Sequence, residues 1–169
     1  MKLVVTDTGP LLHLHQIGAV ELVSKLGEVH ATPKVWEELQ HHAPNFSAIA
    51  PSSWLKVYQP SAAAAQTASQ WVQARILHAG EAEALAYAQE IRADFFLTDD
   101  TAARAMGESL GLQVRGSLGV ILFAAASGIL DQTMSDKTLA NLEQHSSLWM
   151  SSKVKSAARN ALAKIFAKG

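Results

Sequence analysis

Three carboxylic acids stand directly behind apolar, strand-like runs in this chain. Asp7 follows Leu3-Val4-Val5-Thr6, and Asp99 with Asp100 follows Phe95-Phe96-Leu97-Thr98. Both runs end in Thr-Asp. In open α/β sheets, ligands bind beyond the carboxyl ends of the strands. If the two runs are parallel neighbours, they put two or three carboxylates on one sheet edge. Glu81 and Glu83 open the helical run that leads into the second strand, and a helix preceding a parallel strand begins on that same edge. Glu38, or its neighbour Glu37, lies about one turn into another helix that follows a strand and starts there too.

Carboxylates gathered in this way repel one another, and a divalent cation relieves the repulsion. An all-oxygen donor set suits Mg²⁺ or Mn²⁺. Such a centre serves phosphoryl chemistry, by lowering the pKa of a water and steadying a leaving oxygen. Each acid also has a purely structural reading. Asp7 and Asp99 can cap the helices that follow them. Glu81 and Glu83 sit where a helix dipole favours acids, by about 0.3–1 kcal/mol. Glu37 and Glu38 can form a solvated face. Capping, however, does not require four segments to share one edge.

The elements that must position these groups follow from hydrophobic period and punctuation. The spacing predicts strands at 3–6, 28–31, 54–58, 94–98 and 112–117. Two short helices are expected after Asp7, broken at Gly18. Thr32-Pro33 reads as a helix start, Thr as N-cap and Pro at the first helical position. Residues 44–53 read as loop. Two Ala-rich helices follow, with Gly80 as the break between them. Residues 101–111 form the next helix. The apolar run Leu118–Leu130 is too short to span a bilayer, which takes about 20 residues, and reads as a buried helix. Two amphipathic helices follow from Asp131. Strands alternating with helices predict an open, mostly parallel sheet covered on both faces, an α/β/α architecture. We expect residues 1–130 to form the main domain and 131–169 a helical extension packed on it.

Composition narrows the chemistry. The chain has 169 residues, 49% of them apolar, and no cysteine. That leaves no disulfide, no thiolate zinc site and no Cys nucleophile. No signal-peptide pattern opens the chain, and a cytoplasmic location is expected. Net charge is −1 but unevenly placed: residues 1–150 carry −6, whereas 151–169 carry five cations and no acid. A mildly acidic body fits a carboxylate cluster. The basic tail suits a polynucleotide backbone, a docking partner or a solvated face. Arg104, one turn after Asp100, can reach a phosphate or pair with an acid. His13 and His15 point to opposite helix faces, so they do not form a joint ligand pair. Trp36, Trp54, Trp71 and Trp149 read as core or interface residues.

The stretches VVTDTGPLLHL (4–14), TPKVWEEL (32–39), AGEAEALAYA (79–88), LTDDTAARAM (97–106) and GSLGVILFAAASGIL (116–130) occur together in this order. In them the chain resembles PIN-domain proteins, of the VapC-like prokaryotic group. The resemblance implies a metal-dependent ribonuclease, often the toxin of a toxin–antitoxin pair, and a homodimer. It implies Asp7, Glu38, Glu81 and Asp99 as the catalytic acids and metal ligands, with Asp100 as a further ligand. Thr8, Glu83, Asp100 and Arg104 would be supporting residues. Asp100 and Glu83 are the register alternatives to Asp99 and Glu81. A non-catalytic PIN-fold binding module and a DNA-directed nuclease are the competing expectations.

Overall fold

In the computed structural model, which describes residues 1–49 and 53–168, five strands form one sheet. They are β1 (Leu3–Thr6), β2 (Glu28–Ala31), β3 (Leu55–Val57), β4 (Phe95–Leu97) and β5 (Gln113–Arg115). The order is β3-β2-β1-β4-β5, and every pairing is parallel. Strands buried on both faces should be continuously apolar rather than alternating. Val4 and Val5 in β1 and Phe96 and Leu97 in β4 are fully buried accordingly.

The helices among the described residues are α1 (Thr8–Gln16), α2 (Pro33–His42), α3 (Phe46–Ile49), α4 (Ala62–Gln73), α5 (Ala79–Glu90), α6 (Thr101–Ser109), α7 (Ser117–Ala126), α8 (Gln132–His145) and α9 (Ser152–Ala167). A 3-10 segment, Val20–Lys25, follows α1. Helices flank the sheet, giving three layers. The α5 helix is apolar on almost every side: Ala82, Ala84, Leu85, Ala86, Tyr87 and Ala88 are all buried. A helix apolar all round must be enclosed, and α5 packs against α4, α2, α6 and β1. That enclosure fixes the position of its first turn, where Glu81 lies. The α7 helix packs against α1, α8 and α9. Leu142 of α8 joins the main core, while Leu139, Ala158 and Leu162 form a smaller cluster with Ala125. Among the described residues, no helix is long and apolar enough to cross a membrane.

Several local expectations are corrected. Residues 46–49 are helical rather than loop, and 50–52 of that expected loop lie outside the described residues. Gly80 is not the helix break: α4 ends at Gln73, α5 begins at Ala79, and Gly80 sits inside the first turn of α5. The strand expected over 112–117 stops at Arg115, because Ser117 opens α7. Thr32 occupies the N-cap position of α2, yet its hydroxyl is buried without a hydrogen-bond partner. A carboxylate from α5 takes its place, as described below.

Candidate active site

The order β3-β2-β1-β4-β5 reverses its direction of growth between β1 and β4. Such a switch point opens a crevice at the carboxyl ends of the two strands. Asp7 leaves β1 and Asp99 leaves β4 at this place. The register sets their offset: Thr6 pairs with Leu97, and the Asp7 N–H donates to Leu97 O at 3.0 Å. Asp7 therefore faces Thr98, and Asp99 stands one residue further out. The two Thr-Asp sequences look equivalent but are staggered by one position.

Asp7, Glu38, Glu81, Asp99 and Asp100 line one cleft of about 260 Å³, together with Thr8 and His13. Asp7 is buried. Its Oδ1 accepts the Gly9 N–H at 3.0 Å, capping α1, and its Oδ2 accepts the Thr98 hydroxyl. Burial drives the Asp7 pKa well above the usual carboxylate range. The charges of Asp99 and Glu81 push it further up, while the Thr98 and Gly9 hydrogen bonds act in the opposite sense.

Asp99 is held from two elements. Its Oδ1 accepts the Ser117 N–H at 2.7 Å at the start of α7, and its Oδ2 accepts the Ser117 hydroxyl at 2.5 Å. His13 Nδ1 lies 2.7 Å from the same Oδ2. With Asp99 ionised, Nδ1 carries the proton and donates. Asp99 does not cap α6. Asp100 does, accepting the Ala103 N–H at 2.8 Å. Glu38 reaches the cleft from α2, accepting the Thr8 hydroxyl at 2.7 Å and the Gly80 N–H at 3.0 Å. It thereby sits on the positive end of α5, where unpaired N–H groups point outward. Glu81 accepts the His78 N–H at 3.0 Å. Its pKa is raised, chiefly by burial; the His78 hydrogen bond offsets part of this, and the Asp100 charge adds to the rise.

The open alternatives are separated by helix rotation. Glu38 faces the cleft, whereas Glu37 is exposed and pairs with Lys34. Glu81 faces the cleft, whereas Glu83, expected as a supporting residue, does not. Glu83 Oε1 accepts the Lys34 N–H at 2.9 Å and caps α2 where Thr32 fails to. We predict that Glu83→Ala lowers stability by about 1 kcal/mol and leaves the chemistry of the cleft unchanged. Chemical denaturation of the alanine and glutamine variants checks this, since Gln keeps an acceptor. Arg104 lines the neighbouring groove, not the carboxylate cleft, and donates weakly to Thr98 O at 3.4 Å.

His13 forms no ligand pair with His15, as their spacing implies, yet it does line the cleft. His15 indeed points elsewhere, with Nε2 3.4 Å from Asn45 Oδ1 and its ring against Phe46. The missed signal was the i, i+4 stripe Gly9-His13. A Cβ at Gly9 would lie 3.5 Å from both Asp7 Oδ1 and Asp99 Cβ, so that face of α1 looks into the cleft.

Among the described residues, no group of three His, Cys, Asp or Glu side chains is already placed to hold a metal ion. The donor set nevertheless fits a hard divalent cation. It is all oxygen apart from His13, which is committed to Asp99, and among the described residues no lysine or arginine lines the cleft. Asp7 is buried with the charges of Asp99 and Glu81 acting on it, an arrangement that a bound cation would relieve.

The sheet order and the paired strand-end acids define an α/β/α domain with a carboxylate-lined crevice at its switch point. A family model, DUF3368, described as a PIN domain, matches residues 3–164, and the chain belongs to the PIN-domain family. PIN domains are typically nucleases and generally use divalent metals such as Mg²⁺. The match runs through α8 and most of α9. No curated protein matches the chain.

Proposed function

We propose that the cleft is the active site of an Mg²⁺- or Mn²⁺-dependent ribonuclease that hydrolyses RNA phosphodiester bonds. One observation carries the reading: carboxylates from α2, α5 and the ends of β1 and β4 converge at the switch point, with no lysine or arginine among them in the described residues. Asp7, Glu38, Glu81 and Asp99 would hold the cation, with Asp100 beside them. When bound, a divalent cation supplies a more acidic water and neutralises charge on the phosphate.

The chain's own residues do the positioning. Thr98 and the Gly9 N–H orient the two oxygens of Asp7. Thr8 and Gly80 orient Glu38, and Ser117 with His13 orients Asp99. No side-chain nucleophile is required, which agrees with the absence of cysteine. A toxin role with a cognate antitoxin, and a homodimeric state, extend this reading from the family resemblance.

The test is cleavage of structured and unstructured RNA by purified protein in Mn²⁺ or Mg²⁺ against EDTA, with matched single-stranded DNA alongside. Metal-dependent RNA cutting supports the reading. Cutting of DNA alone makes the enzyme a DNA-directed nuclease. No cutting, together with no Mn²⁺-dependent thermal shift, leaves a non-catalytic binding module, because a cation bound to the folded state must raise its stability.

A further inference from the structure

Beside the carboxylate cleft lies a larger groove of about 640 Å³. It shares Asp99, Leu148 and Trp149 with the cleft, so the two are continuous. Its walls carry two arginines. The Arg115 guanidinium lies over the Phe95 ring, 4.6 Å from the centroid. Its Nε is shielded from solvent and has no hydrogen-bond partner among the described residues. Among the described residues, the Arg104 side chain donates only weakly, to Thr98 O at 3.4 Å. Among the described residues, neither arginine pairs with a carboxylate within 4.0 Å. Gly116 lets Arg104 and Asp99 crowd together: a Cβ there would lie 3.0 Å from Arg104 Nη2 and 2.6 Å from Asp99 Oδ1. Uncompensated positive charge therefore borders the negative cleft directly.

Trp149 stands at the seam, 82% exposed. It was expected in a core or an interface, and within this chain it is in neither. Its segment is nevertheless held: Gln16 Oε1 accepts the Ser147 N–H at 2.7 Å and the Ser147 hydroxyl at 3.0 Å. Ser151 and Val154, at the start of α9, form the far rim. From residue 151 onward the chain carries five cations and no acid; among the described residues, Arg159 is the one of these that pairs with an acid, Glu143.

An exposed indole at the rim, beside guanidinium groups without a carboxylate partner, matches what a single-stranded polynucleotide needs. Every base offers a face for stacking, and arginine matches the phosphate fork. The volume falls within the roughly 300–1,000 Å³ of sites that enclose ligands about the size of a nucleotide. We propose that this groove binds the single-stranded nucleotide next to the scissile phosphate, with its base stacked on Trp149 and its flanking phosphates on Arg104 and Arg115. The position of the scissile bond rests on the nuclease reading; the binding itself does not.

The experiment is fluorescence anisotropy of a short fluorescein-labelled single-stranded RNA with the full-length protein, in EDTA at low salt, so that no turnover is needed. Wild type should bind. Trp149→Ala should weaken binding about tenfold or more, and Trp149→Phe should keep most of it. Arg115→Gln should reduce the slope of log K against log salt by about one. Trp149 is exposed, so its variants report on the groove even where the loss of Arg115 from the Phe95 ring harms folding. Wild-type-like binding by Trp149→Ala overturns the proposal, as does a wild type that does not bind RNA; the groove is then open to an acidic protein segment instead. Binding through Trp149 without any Mn²⁺-dependent cutting upholds the groove and sinks the nuclease reading. Cutting with a KM indifferent to Trp149→Ala does the reverse.

Discussion

Asp7→Asn is expected to abolish RNA cleavage and, in EDTA, to raise the melting temperature. The two effects share one cause. Asp7 is buried beside Asp99 and Glu81, and its pKa is pushed up first by burial and then by those charges. Without a cation, its ionised form is held at a cost. Asn keeps an acceptor for the Gly9 N–H, and its amide can donate to the Thr98 hydroxyl, so the local bonds largely survive the loss of charge. The sign is fixed by linkage. A folded-state pKa above the unfolded value means that the folded protein binds the extra proton, so the ionised group destabilises the fold as pH rises. The advantage of Asn should therefore vanish below about pH 3.8, the ordinary value. It should grow with pH and level off once Asp7 is ionised in the folded protein. At neutral pH a gain of about 1 kcal/mol would appear as roughly 2–4 °C.

Activity should move the other way, and further. A bound divalent cation is worth several kcal/mol of charge stabilisation, so losing a ligand of it should lower kcat/KM by about 10³-fold or more. The Mn²⁺-dependent thermal shift should shrink with it. Thermal melts with and without Mn²⁺, alongside initial rates, read all of this from one pair of proteins. A variant that cuts RNA at the wild-type rate would remove Asp7 from the cation site and leave it a helix cap.

Which segments bring acid to the edge was legible in the sequence, because strand, turn and helix succession determines the edge on which each helix begins. Thr-Asp at the ends of two apolar runs was enough to pick β1 and β4. Which acid of each adjacent pair enters the cleft was not legible. That choice depends on the rotation of α2 and α5 about their own axes, which tertiary packing sets. Glu83 shows the difficulty: it was a plausible ligand until the Lys34 N–H claimed it, and that contact also left Thr32 without its expected role. The stagger between Asp7 and Asp99 was hidden for a related reason. Register belongs to the pairing of two strands, and neither strand carries it alone. The place of His13 was not legible because a two-residue spacing to His15 speaks only against joint coordination and does not say which member faces the sheet edge. The bend at 74–78 was misplaced at Gly80 because a glycine in a helical run reads as punctuation. Here its lack of a side chain answers to a neighbour.

That neighbour makes Gly80→Ala the most discriminating second test. Inside a helix, Ala is ordinarily favoured over Gly by about 1 kcal/mol, so propensity alone predicts stabilisation. The structure predicts the opposite. A Cβ at Gly80 would lie 2.2 Å from Glu38 Oε2 and 2.6 Å from its Cδ, and no real Cβ contact is that short. The carboxylate, at the far end of a flexible side chain, must shift out of its present place. With it go its bonds to the Gly80 N–H and the Thr8 hydroxyl and its place on the positive end of α5. Two hydrogen bonds to a charged acceptor, each worth about 1.5–3 kcal/mol, outweigh the propensity gain. Gly80→Ala should therefore lower both stability and the rate of RNA cleavage, the latter by about 10²-fold as one displaced acid loosens the cation site. The proof lies in the double variant. With Glu38→Ala already in place, the three nearest obstructing atoms are gone, and adding Gly80→Ala should stabilise the protein by the ordinary helical increment. A sign reversal between the two backgrounds, measured by chemical denaturation, is a coupling that only direct contact between positions 38 and 80 explains. Additive effects would mean that Glu38 rests somewhere other than on the first turn of α5, and its assignment to the cleft would fall with that contact.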